Sequence, residues 1–166
     1  MTSNNNLLEI WLSENKIKFL KDFNIKYKSW LKAGGVVKTF ITPNNETDCI
    51  KLIKFFHENK FAFYVLGNIS NIIIRDGIIN TPIINLHKLS DIFEKQIHEE
   101  FKLKVNAGIS IPKFSKYLIN KGITGYEGLV GIPGTLGGGI VMNTSSYGSC
   151  ISDYLVSVEY IDENGE

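Results

Sequence analysis

Along this chain the spacing of apolar and polar positions changes rhythm repeatedly, and each change marks an expected element. Leu8, Trp11, Leu12 and Phe19 fall broadly on one helical face, which predicts an amphipathic helix over residues 7–21. A loop at 24–35 ends in Ala33, Gly34 and Gly35, and the β-branched run Val36–Thr42 then stops at Pro43 as a strand does. Asn45 with Asp48 predicts an N-cap pair for a helix whose apolar set Cys49, Leu52, Ile53 and Phe56 has helical spacing. The continuous apolar run 61–66 predicts a strand covered on both sides, so strand, helix and strand make a βαβ unit. The chain next turns at Gly67, Asn68, Ile69, Ser70 and Asn71 and resumes as Ile72, Ile73 and Ile74. Short strands are expected at 83–86, 89–93 and 101–106, with the charged stretch 94–100 as a solvated turn. Pro112 suits a first helical turn, and Phe114, Tyr117 and Leu118 give that helix an apolar face ending before Gly122. Residues 155–161 alternate as a strand.

The stretch 125–148 breaks this pattern. It holds no Lys or Arg and one acid, Glu127, while glycine recurs at Gly128, Gly131, Gly134 and Gly137 and continues through Gly138 and Gly139. Ile132, Pro133 and Gly134 predict a tight turn, with the glycine free to take the left-handed region. Thr135 would cap a short helix carrying Leu136, Ile140 and Val141 and ending before Asn143. A bare turn feeding a helix start suits an anion; equally, the glycines let a helix pack closely on a sheet. Residues 67–71 allow the same pair of readings, a backbone nest for phosphate oxygens that includes Ser70 and Asn71, or an ordinary turn.

Composition narrows the classes. The 166 residues are 43% hydrophobic and 21% charged with a net charge of +1, which fits one domain or two small lobes and argues against disorder and against nucleic-acid binding. Cys49 and Cys150 stand far apart with no CxxC spacing, so neither a disulfide framework nor a zinc site is expected. His57, His87 and His98 have no companion at ligand spacing and read as surface residues, and no metal site is expected. No stretch approaches the roughly 20 apolar residues of a membrane span, so a soluble cytoplasmic protein without a membrane partner is expected. Asn164-Gly165 after an alternating run signals a hairpin whose returning strand is absent, which predicts that the sequence belongs to a larger architecture.

Two separated runs, LGNISNIIIRDG at 66–77 and GYEGLVGIPGTLGGGIVMNTSSYGSCISDYLVSVEYIDENGE at 125–166, resemble the flavin-binding part of UDP-N-acetylenolpyruvoylglucosamine reductase in content, order and separation. The resemblance covers residues 20–166. It implies an α+β fold, a two-lobed FAD-binding domain of the PCMH or vanillyl-alcohol-oxidase type with a small βαβ lobe and a mixed or antiparallel sheet lobe with helices. The implied division is an N-terminal helix at 1–20, a first lobe at 21–88 and an apparently truncated second lobe at 89–166, with the substrate-binding domain absent. It places Gly67, Asn68, Ser70 and Asn71 at the FAD pyrophosphate, with Ile69 and Ile72 in the same cofactor-binding run. Gly131, Ile132, Pro133, Gly134, Thr135, Gly137 and Gly138 would line the other side, and Asn143, Ser145 and Tyr147 would lie close to the flavin.

The activity implied is NADPH-dependent reduction of an enolpyruvyl UDP-sugar to UDP-N-acetylmuramate for peptidoglycan. The family's serine, glutamate and arginine all fall past residue 166, so no catalytic residue is assigned here and a missing C-terminal domain or partner chain is expected. Tyr126, Glu127 and Tyr147 are expected to pack or to orient the loop. Two alternatives stand beside this reading, another FAD-linked oxidoreductase of sugar metabolism and a degenerate, non-catalytic domain of the same fold. The family's three glycines before Ser-Asn are here Gly67, Asn68 and Ile69. A β-branched residue resists positive φ by about 1–2 kcal/mol, so Ile69→Gly is expected to tighten FAD binding. The family's Thr-rich approach to its first Gly-Gly is also replaced, by Lys28, Ser29, Trp30, Leu31 and Lys32.

Overall fold

A computed structural model describes residues 2–97 and 100–166. The first helix, α1, spans Thr2–Glu14 and is shorter than its apolar spacing predicts. Lys16 takes φ 56°, the Ile17 amide returns to Leu12 O at 2.9 Å, and the chain leaves as a strand, β1, Lys18–Asn24. Phe19 satisfies the helical count, yet Ile17, Phe19 and Phe23 also fit a two-residue period. Pairing with the next strand decides between them, placing Phe19 opposite Ile41.

That next strand, β2, Val36–Thr42, has the predicted limits. It lies antiparallel to β1 and parallel to both β5, Ile83–Asn85, and the short β4, Ile78–Ile79. The strand β3, Tyr64–Leu66, pairs in parallel with β5, giving the order β1-β2-β5-β3. The helix α2, Glu46–Glu58, carries the chain from β2 across to β3 and completes the βαβ unit. Asn45 Oδ1 accepts from the Asp48 amide at 2.8 Å, while the Asp48 carboxylate accepts from the Asn44 amide at 2.9 Å, one residue earlier than a reciprocal capping box requires.

Cores form on both sides of β2. One gathers Leu8, Leu12, Ile41, Leu52, Phe55, Phe56 and Ile84 beneath α1 and α2; the other gathers Ile25, Val37, Phe40, Ile69 and Ile83. The run 61–66 is therefore not the strand covered on both sides. Only Tyr64–Leu66 pairs, at the sheet edge with Tyr64 and Val65 exposed, because Phe61 and Phe63 turn toward α2, their ring centroids 5.8 Å from Phe55 and 5.0 Å from Phe56. Ile72, Ile73 and Ile74 form no strand either.

The rest of the chain builds a second core. The strands β6, Ile92–Ile97, and β7, Glu100–Val105, form an antiparallel hairpin. Residues 94–97 are thus strand rather than solvated turn, because β7 supplies them with a facing ladder. His98 lies outside the described residues. The helix α3, Ile111–Asn120, is capped by Ser110 with Pro112 in its first turn, and α4, Leu136–Val141, is capped by Thr135. Phe114, Leu118, Leu129, Leu136 and Ile151 close this core together with Ile109 and Ile111.

A small hairpin follows, β8, Ser145–Ser146, and β9, Ser149–Cys150, turning at Tyr147 and Gly148 with φ 47° and 80°, the paired positive values of a tight hairpin turn. Residues 155–161 alternate in sequence but join no ladder among the described residues, and Val156 and Tyr160 stay exposed. No described helix is long and apolar enough to cross a membrane, and no described group of His, Cys, Asp and Glu has the geometry to hold a metal.

Candidate functional site

The two polar runs singled out by sequence come together. A Cβ built on Gly67 would stand 2.1 Å from Thr135 Oγ1, so the turn after β3 touches the cap of α4 directly. Beside that contact, a Cβ on Gly134 would lie 3.9 Å from Ser70 Oγ. Gly67 thus has no side chain because the second strip occupies its place.

Hydrogen bonding shows which amides of this junction are available. Among the described residues, no protein acceptor takes the N–H of Asn68, Ile69, Ser70 or Asn71, nor those of Gly131 and Thr135. Asn68, Asn71 and Gly131 are exposed, so their donors can bond to water, and donors gathered at one junction can serve an acceptor-rich ligand in its place. The helix start contributes less than expected. Its first amides are already bound, Leu136 to Ile109 O at 2.8 Å, Gly137 to Ala107 O at 2.9 Å and Gly138 to Thr135 Oγ1 at 3.3 Å. The expected turn at Pro133 also differs. The Gly134 amide bonds to Ile132 O at 2.9 Å and Gly134 has no positive φ; this is a three-residue turn centred on proline, whose ring already fixes the angle it needs.

Both readings of the glycines hold, at different positions. Gly137 and Gly139 are packing residues, since a Cβ would meet Ala107 Cβ at 2.8 Å and Ile111 Cδ1 at 3.1 Å. Gly131 has no atom within 4 Å of where a Cβ would stand, so packing does not explain it.

The turn at 67–71 is held from below by a residue that sequence reading passed over. Asn85, 1% exposed at the end of β5, donates from Nδ2 to Leu66 O at 2.9 Å and to Gly67 O at 2.7 Å, using both amide hydrogens, while its Oδ1 accepts from His87 Nδ1. A buried Asn closing an apolar strand, in the run IINLH, was the available signal. Asn85→Leu strands two carbonyls at about 1–3 kcal/mol each, so a stability loss of about 2–6 kcal/mol is expected in urea unfolding.

Ile69 takes the conformation that its side chain disfavours. Its φ is 53° and it is 4% exposed, packed with Ile25, Val37, Phe40 and Ile83, while its carbonyl accepts from the Trp30 amide at 3.1 Å. Burial of the side chain offsets the strain. Asn68, Asn71 and Ile72 are exposed, and Ile132 and Pro133 are half-buried.

Asn143, Ser145 and Tyr147 are not brought against the turn at 67–71. They lie on or beside the β8–β9 hairpin, where Asn143 Oδ1 accepts from Cys150 Sγ at 3.2 Å and Tyr147 is 97% exposed. Glu127 Oε2 accepts from the Gly125 amide at 2.8 Å, and Tyr154 OH donates to Gly125 O at 2.9 Å, fixing the start of the glycine-rich stretch. Tyr126 packs its ring 4.3 Å from that of Tyr154, and burial, then Tyr154 and Asp153, push its phenol up to about 12. Apart from Glu127, the strips offer uncharged donors and hydroxyls, a chemistry suited to binding.

Comparison with known proteins gives the family. The family described as an FAD binding domain matches residues 37–166. The chain belongs to the FAD-binding domain family. This FAD-binding domain is 37% identical over 150 residues to the UDP-N-acetylenolpyruvoylglucosamine reductase of Rickettsia prowazekii (strain Madrid E), covering 90% of this chain and 50% of that protein. It is 30% identical over 159 residues to the reductase of the same name from Streptococcus pneumoniae (strain JJA), covering 92% and 52%. The chain spans about half the length of these curated relatives.

Solved structures share the fold at low identity. An alkyldihydroxyacetonephosphate synthase superposes with a TM-score of 0.59 at 18% identity, covering 75% of this chain and 24% of that one. Cholesterol oxidase from Brevibacterium sterolicum superposes with 0.58 at 16%, covering 80% and 25%. The expected α+β fold of the PCMH type is the fold observed.

The refined geometry changes the expectation for Ile69→Gly. Removing a buried aliphatic side chain costs about 2–5 kcal/mol, while releasing the left-handed strain returns about 1–2, so a net stability loss of about 1–3 kcal/mol is expected. The strain is already borne in the fold, so FAD affinity should not improve. Denaturant unfolding and a flavin titration check both halves; a tenfold gain in affinity would mean that FAD binding imposes further strain.

Proposed function

We propose that this domain holds FAD across the Gly67–Thr135 junction, as the flavin-binding part of a UDP-N-acetylenolpyruvoylglucosamine reductase-like enzyme. The observation that carries the reading is the set of unpaired amides at Asn68, Ile69, Ser70, Asn71, Gly131 and Thr135, drawn from two distant segments. A diphosphate bridge presents several acceptor oxygens and about two negative charges. Uncharged amides converging from two segments stabilise it through charge-assisted hydrogen bonds without a basic residue.

Within that site, the amides of 68–71 and the Ser70 hydroxyl orient the diphosphate from one side, and Gly131 and Thr135 from the other. Ile132, Pro133, Gly134, Gly137 and Gly138 shape the second wall, while Asn143, Ser145 and Tyr147 face the flavin end. When bound, FAD supplies hydride transfer, taken from NADPH and delivered to the enolpyruvyl group of a UDP-sugar. No residue of this chain is assigned the proton that the reduction also needs. The degenerate-domain alternative drew on Asn68 and Ile69; that Ile69 takes φ 53° favours the flavin reading over it.

The test is flavin uptake. The purified protein is expected to be yellow, or to become so with added FAD in a 1:1 titration of visible absorbance. Gly131→Ala should leave the melting temperature unchanged, because a Cβ there meets nothing, and should weaken FAD binding by about tenfold by obstructing close approach to its amide. A protein that takes up no FAD, or a Gly131→Ala variant that binds it normally, would sink this assignment of the strips.

A further inference from the structure

A second recess lies at the carboxyl ends of β2 and β5, with a volume of about 190 Å³, lined by Lys18, Lys28, Lys88 and His87 over a floor of Phe40 and Thr42. The topology assembles it from three separate parts of the chain. Antiparallel pairing sets Lys18 at the start of β1 opposite Thr42 at the end of β2. The turn after β1 brings Lys28 over the Phe40 ring, its Nζ 6.0 Å from the centroid, and the chain leaving β5 adds His87 and Lys88.

The charge of this recess is unbalanced. No Asp or Glu lines it, Lys18 and Lys28 make no ion pair among the described residues, and Lys88 donates only to a neutral amide, Asn44 Oδ1 at 2.9 Å. Some lysines elsewhere do meet carboxylates, as Lys38 does with Asp22 at 2.6 Å, Lys121 with Glu94 at 2.7 Å and Lys21 with Glu9. Since the whole chain carries a net charge of +1, three uncompensated ammonium groups in one recess are not the overflow of a basic protein. Burial, followed by the charges of Lys28, Lys88 and Lys18, holds the His87 imidazole below its ordinary range. Burial also lowers Lys28.

We propose that this recess binds a phosphoryl dianion, as free phosphate or as the phosphate group of a small metabolite, at a site separate from the dinucleotide cleft. Three ammonium donors and an imidazole match a compact dianion better than a single carboxylate. The volume is below the roughly 300 Å³ of pockets for drug-sized ligands, which limits the occupant to something small. The inference does not depend on the flavin assignment.

The experiment follows the His87 ring by NMR while inorganic phosphate is added to the whole protein, with chloride at matched ionic strength as control. Phosphate should shift the ring resonances saturably and raise the His87 pKa. Lys28→Gln and Lys88→Gln, each with an unchanged melt, should weaken that response by about tenfold, and Lys38→Gln should not. Glycerol phosphate binding tighter than phosphate would assign the site to a phosphorylated metabolite; equal or weaker binding would assign it to free phosphate. No saturable shift, an equal shift with chloride, or an undiminished response in Lys28→Gln would overturn the proposal. So would loss of the response under saturating FAD, since the lysines would then belong to the dinucleotide. A colourless protein that still answers phosphate would refute the flavin reading and support this one.

Discussion

Gly67→Ala is expected to abolish measurable FAD binding while the protein still melts cooperatively. The added methyl would stand 2.1 Å from Thr135 Oγ1, and 3.1 and 3.2 Å from Thr135 Cγ2 and Cβ. Rotating the threonine to escape gives up its bond to the Gly138 amide at 3.3 Å, and keeping it there forces the strips apart. Either response costs about 1–3 kcal/mol of overpacking, enough to misplace the amides that must converge. A double variant supplies the check. Thr135→Ala removes Oγ1 and Cγ2 and leaves only the Cβ contact at 3.2 Å, so adding it to Gly67→Ala should restore part of the flavin affinity in a non-additive way. Normal FAD titration by the single variant would show that the strips need not touch.

A larger loss of stability is expected from Gly108→Ala. A Cβ there would lie 1.7 Å from Leu86 O and 2.6 Å from Leu89 O, both backbone atoms that no rotamer change can move. The same glycine donates its amide to Leu89 O at 2.9 Å, and the Leu89 amide bonds to Leu86 O at 2.9 Å, so the chain leaving the five-stranded sheet is tied there to the segment that enters α3. Relief requires displacement of one main-chain segment from the other. A loss above about 3 kcal/mol is expected, or a fall of about 10 °C in melting temperature for a chain of this size, read by circular dichroism. An unchanged melt would mean that this junction is slack.

What sequence disclosed, and what it hid, divides along physical lines. β2 and α2 were legible because their cues agree: β-branched residues ending at Pro43, and an Asn45 cap before a helical stripe. The Thr135 cap and the first-turn Pro112 belong to the same class, whereas the Ser110 cap was not read from sequence. Residues 15–24 were misread because Phe19 serves either period, and only the partner strand chooses. The run 61–66 was misread because aromatic residues are apolar whether they sit in a strand or fill a gap beside α2. At the junction, the two polar segments were visible in sequence but their contact was not, and the occupied amides at the start of α4 depend on Ala107 and Ile109, which carry no signal. Asn85 escaped notice because its role rests on tertiary position, and the three lysines did because they come from segments far apart.

The donors at the junction are peptide groups, and every amino acid except proline carries one. Mutational drift along 68–71 therefore changes side chains without changing the donor set, provided the path of the main chain survives. Asn68 and Ile69 are instances of that freedom, and proline at 68–71 is the replacement such a lineage could least tolerate.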